Sequence, residues 1–93
     1  MPPKIAHLRL ARAAFNARDW PRALAEGKNA VAAGGGADAH ALLGSTYFKM
    51  GRFLEAEQAY SKAAALEPAN ALLAERVRIA RARVQEQRAG KEN

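Results

Sequence analysis

The chain has 93 residues, room for one small domain. It carries 15 Lys and Arg against 9 Asp and Glu, a net charge of +6. Cysteine is absent, which excludes disulfides and cysteine-ligated metals, and no apolar run approaches the roughly 18 residues of a membrane span.

Alanine fills 24 positions, while three valines, two isoleucines, one threonine and six aromatics are all that favour strands. Alanine has the highest helix propensity and lets helix axes approach closely, so the composition predicts packed helices. Periodicity and punctuation place five of them, in chain order, at residues 4–17, 21–33, 37–50, 53–66 and 70–88. The first 18 residues hold Lys4, Arg9, Arg12 and Arg18 and no acid, as a transit peptide would. They lack serine, however, and the repeat described below uses them, so they are read as part of the fold and the chain as cytoplasmic.

Asp19-Trp20-Pro21 separates the first two helices, with Asp19 as an N-cap and Pro21 in the first turn. Gly34-Gly35-Gly36 reads as a flexible hinge before the third helix. Gly51 ends the third by adopting a positive φ, and Pro68 and Asn70 end the fourth and cap the fifth. In the fifth, Leu73, Val77, Ala80 and Val84 form one apolar stripe, with Arg76, Arg78, Arg81, Arg83 and Arg88 elsewhere around it. Residues 90–93 read as a frayed tail.

The chain overlays on itself at an offset of 33 residues. His7 falls on His40, Leu10 on Leu43, Phe15 on Phe48, Trp20 on Phe53, Ala23 on Ala56 and Ala30 on Ala63. The second copy reads His40-x-x-Leu43-Gly44-x-x-Tyr47, then Ala56-x-x-x-Tyr60, Ala63 and Pro68. This pattern resembles the tetratricopeptide repeat. The resemblance is strong over residues 37–70 and weaker over 4–36, where Ala11, Ala14 and Gly27 replace the glycine and two aromatics. It implies an all-α fold, an α-solenoid of two helix-turn-helix repeats (4–36 and 37–70) and a capping helix (70–88), one domain over residues 1–89. The cap is expected to pack on the second helix of the second repeat and give the stack a polar end.

The residue inventory offers no catalytic arrangement. His7 and His40 occupy equivalent slots, about 10 Å apart at helix-packing distances, which is too far to share a metal. They are read as half-buried packing residues. Ser45 and Ser61 lie on different helices with no base partner. No enzyme activity, metal or cofactor is expected.

The resemblance implies instead a binding groove lined by the first helix of each repeat. Its slots carry Ile5, Leu8, Arg12, Phe15 and Asn16 in the first helix, and Asp38, Ala41, Ser45, Phe48 and Lys49 in the third. Continuing the register gives Leu72, Glu75, Ile79, Ala82 and Arg83 in the fifth. Phe15 and Phe48 are expected to be exposed and to anchor a protein segment, with acidic flanks meeting Arg12, Lys49 and Arg83. The function expected is that of a non-catalytic adaptor or scaffold. Family members that grip the C-terminal carboxylate of heat-shock chaperones use Lys, Asn and Arg at the positions held here by Leu8, Arg12, Leu42, Leu72 and Arg76. Only Arg76 agrees, which disfavours that role.

The alternatives are a self-associating assembly module or homodimer, a secretion-type chaperone and, third, nucleic-acid binding by the arginine-rich fifth helix. Charge by segment is +4, −1 and +3 for residues 1–36, 37–70 and 71–93. No aromatic lies beyond Tyr60 to stack on bases.

Overall fold

A computed structural model describes residues 1–92 of the chain. Five helices follow one another: α1 (Pro3–Asn16), α2 (Trp20–Ala32), α3 (Gly36–Lys49), α4 (Phe53–Leu66) and α5 (Ala71–Glu92). Each of the first four lies within a residue or so of its predicted span. α5 continues through Gly90 and Lys91 to Glu92, past the end expected at 88 and into the segment read as a frayed tail. Asn93, the last residue of that segment, lies outside the described residues.

Consecutive helices pack side by side, α1 on α2, α2 on α3, α3 on α4 and α4 on α5, and α1 also touches α3. One layer therefore contains α1 and α3 and the other α2 and α4. The smallest dimension, 18 Å, is that of two helix layers.

The turns explain why the helices stop where they do. At the end of α3 the Gly51 N–H donates to Phe48 O at 3.0 Å and the Arg52 N–H to Tyr47 O at 2.9 Å. This pair of bonds is the Schellman closure, and Gly51 supplies its left-handed residue at φ 77°. The same closure ends α1, where the bonds run from Arg18 to Phe15 O and from Asp19 to Ala14 O. There the left-handed residue is Arg18, at φ 61°. Asp19 caps α2 as expected, its Oδ1 accepting from the Arg22 N–H at 3.3 Å. The residue that does the work of Gly51 in the first pair is thus Arg18, one position before the Asp19-Trp20-Pro21 segment.

The triglycine segment joins the two hairpins: Gly34 closes α2 at φ 86° and Gly36 opens α3 at φ 65°. Between them the Gly35 N–H donates to Ala30 O at 2.8 Å. A Cβ on Gly35 would stand 2.8 Å from that oxygen and 2.9 Å from the Ala39 Cβ.

The core is built mainly of alanine. Ala11, Ala23, Ala30, Ala39, Ala56, Ala63 and Ala80 are fully buried. Small side chains keep the helices close, so that the larger Leu43, Tyr60, Leu73 and Val84 fill what remains. α5 docks as the sequence implies: Leu73 joins Ala37 and Ala63 in one cluster, and Ala80 joins Ala56 and Tyr60 in another. Further along, Gln87 Nε2 donates to Gly51 O at 3.3 Å, tying α5 to the α3–α4 turn.

Candidate functional site: a groove divided by two aromatic pairs

Phe15 and Phe48 sit near the ends of α1 and α3, where each chain turn brings back a second aromatic. Phe15 meets Trp20 edge to face at 5.3 Å, and Phe48 meets Phe53 at 4.9 Å. Both phenylalanines are half-buried, and Phe48 also packs against the cluster of Ala56, Tyr60 and Ala80. The expectation of two exposed aromatics is therefore corrected. Their first task is to fasten each helix pair at its turn, and only part of each ring faces the groove.

The expected groove residues divide into two patches. Phe15, Asn16 and Lys49 line an opening of about 470 Å³ together with Arg18 and Trp20. Phe48 and Ile79 line a cleft of about 130 Å³ with Tyr60 and Arg76. Ser45 lies beside the second, sharing a 2.7 Å hydrogen bond with the Tyr60 hydroxyl. Arg83 extends it, with its guanidinium 5.9 Å from the Phe48 ring centre and 5.7 Å from that of Phe53.

Ala41 belongs elsewhere: it packs against the Ala37, Ala63 and Leu73 cluster, so it supports the core. Ile5 and Arg12 are exposed and Leu8 is half-buried, and none of the three lines either opening.

Two residues of the α3–α5 cleft are absent from the expected groove slots, although Arg76 agrees with a position that grips a chaperone tail in the family. Tyr60 lies on α4, the other layer, and its side chain passes under Gly44 to reach the groove. A Cβ on Gly44 would stand 2.8–2.9 Å from the Tyr60 ring, so the glycine is what admits it. A buried tyrosine hydroxyl needs a partner, and Ser45 one helix away was the available signal. Arg76 stacks over the Tyr60 ring at 5.9 Å.

The arginines of α5 do not share one surface. Arg81 Nε donates to Glu57 Oε1 of α4 at 3.0 Å, Arg78 pairs with Glu75, and Arg83 lies 3.7 Å from Glu86. Arg76 and Arg83 face the cleft.

The two histidines are half-buried, as expected. His7 Nδ1 is hydrogen-bonded to Glu26 Oε2 at 2.9 Å. His40 lines a separate cleft of about 270 Å³ with Lys28 and Lys62. Burial, and secondarily the charge of Lys62, lowers its pKa below the usual histidine value. Among the described residues no three His, Asp or Glu side chains converge, and no helix is long and apolar enough to cross a membrane.

Residues 37–70, which take in α4 and all of α3 but its first residue, match the family model of the tetratricopeptide repeat. The five-helix architecture is consistent with such repeats, one hairpin preceding the matched one and a closing helix following it. Tetratricopeptide repeats generally mediate protein–protein interaction. No curated protein and no solved structure matches the chain.

Proposed function

We propose that this chain is a non-catalytic adaptor or scaffold that binds a segment of a partner protein in the groove of α1, α3 and α5. One observation carries the reading: Ile79, a large aliphatic side chain, is left 44% exposed beside a cleft whose walls are Phe48, Tyr60 and Arg76. Exposed apolar surface rimmed by cations, on a repeat whose relatives bind proteins, is what an interaction site requires. The same proposal extends to a cytoplasmic setting and a partner with apolar anchors and acidic flanks.

The test is affinity capture from nuclease-treated lysate, comparing wild type with a groove variant, Lys49→Glu/Ile79→Glu, and an α4 variant, Leu54→Glu/Leu66→Glu. All four positions are surface positions, so circular dichroism is expected to show unchanged helicity. A partner lost with the groove variant and kept with the α4 variant is the expected result. Retention by both, or loss with both, would sink the groove reading. Recovery of a second copy of the chain, abolished by Leu10→Glu, would replace it with self-association; Leu10 is 43% exposed over the Ala13 and Ala17 face of α1.

A further inference from the structure

The face of α5 that borders the cleft repeats with a period of seven. Leu72 and Ile79 are seven residues apart, and so are Arg76 and Arg83. Intervals of four, three and four residues place all of them on one side of the helix. Leu72 is 57% exposed and Ile79 44%, so the aliphatic side chains on this side are uncovered. Among the described residues no carboxylate lies within ion-pairing distance of Arg76, and Arg83 has only the 3.7 Å contact with Glu86. Glu75, the one acid of α5 near the cleft in sequence, is paired with Arg78. The charge bordering the cleft is therefore positive.

We propose that the α3–α5 cleft takes an amphipathic α-helix of a partner protein, one with acidic residues seven positions apart and aliphatic residues between them. The proposal rests on the groove reading and specifies its ligand. Spacing decides the helix. Arg76 and Arg83 are about 10.5 Å apart along the axis, two turns, and carboxylates seven apart on a second helix match that interval. An extended segment covers the same distance in about three residues, which puts its two side chains on opposite faces. The cleft of about 130 Å³ is near the size of cavity that holds one small apolar group. It accepts the aliphatic residue between the two acids.

A second copy of the chain does not meet the requirement. Asp19 and Glu26 are its only acids seven apart, and Asp19 is occupied as the cap of α2.

The experiment titrates ¹⁵N-labelled protein with a helix-favouring synthetic peptide about 20 residues long, long enough to hold helix in water. The peptide carries Glu at two positions seven apart and Leu between and after them. Three controls replace both Glu by Gln, both Glu by Lys, or the Leu residues by Ser. The proposal expects shifts at Phe48, Tyr60 and Ile79 with the Glu–Leu peptide, and binding weakened about two- to fivefold for each charge lost, the worth of an exposed ion pair. It also expects that Arg76→Glu/Arg83→Glu prefers the Lys peptide. Equal binding of the Gln peptide, or no change of preference in the charge-swapped protein, would overturn the proposal; Leu-dependent shifts in the cleft would still uphold the groove reading. Absence of shifts with every peptide would overturn it too, and the capture experiment then judges the groove separately. Shifts at the same residues on concentrating the protein alone would make the occupant a second copy, also against the proposal.

Discussion

The two helix pairs, α1–α2 and α3–α4, share one backbone plan and solve it with different side chains. At the point of closest approach the second pair has Gly44 against Tyr60, whereas the first has Ala11 and Gly27 at the equivalent positions. The small residue has moved from the first helix to the second. Without a tyrosine at 27, the space over that glycine is taken by Leu43 from the neighbouring repeat, whose Cδ2 would stand 2.8 Å from an added Cβ. At the turn the contrast is conformational: Gly51 takes its left-handed backbone freely, and Arg18 takes nearly the same φ with a side chain attached. A repeat therefore conserves the space and the turn, and the residue types follow from what the neighbours supply.

That comparison can be sharpened by substitution. Gly44→Ala pushes a methyl into a buried ring held by its hydrogen bond to Ser45. Overpacking of this kind costs about 1–3 kcal/mol, of which about 1 kcal/mol returns as helix propensity. A net loss of up to about 2 kcal/mol is expected by urea denaturation. Gly27→Ala meets a leucine side chain, nearest at its Cδ2 end, which gives way more readily than a ring, so the same propensity gain leaves it nearer neutral. Equal losses at both positions would contradict the two packing solutions.

The turns should diverge by about 1 kcal/mol in opposite senses. Gly51→Ala forces a Cβ into the left-handed region and is expected to cost about 1 kcal/mol. Arg18→Gly relieves that cost and is expected to add about 0.5–1 kcal/mol, less what the freer unfolded chain takes back. Thermal melts of the two variants read both signs.

The smallest effect concerns His40. His40 has a lowered pKa in the folded state, so the unfolded chain binds the proton more readily. Its contribution is complete above the unfolded value of about 6.5 and declines as the pH falls through the folded one. His40→Gln is expected to flatten the loss of stability on acidification below about pH 6.5, and Lys62→Gln to reduce it. Denaturation midpoints of the three proteins measured between about pH 7 and 5 decide the matter.

The helices were legible because their signals are local. Alanine's helix propensity, Asp19, Gly51 and Asn70 each act within a turn or two of the chain, and helix ends depend on just such short-range bonds. Site residues were legible only in part. The register implied by the resemblance selected Phe48, Ile79 and Arg83, but the same register selected Ala41, which packs against the core, and it treated Phe15 and Phe48 as free. Spacing fixes the side of a helix and says nothing of what stands opposite.

The residue pattern along the chain thus suffices for five helices, their order, the repeat and the docking of α5 through Leu73, Ala80 and Val84. It takes the packed helices to show that Tyr60 crosses from one layer to the other beneath Gly44, that the aromatics pair at the turns, and that Arg76 and Arg83 border one cleft. The reason is range. Propensity and capping are settled between neighbours in the chain, while a cleft is made by residues from three helices, 45 to 83, brought together only when alanine faces let those helices close.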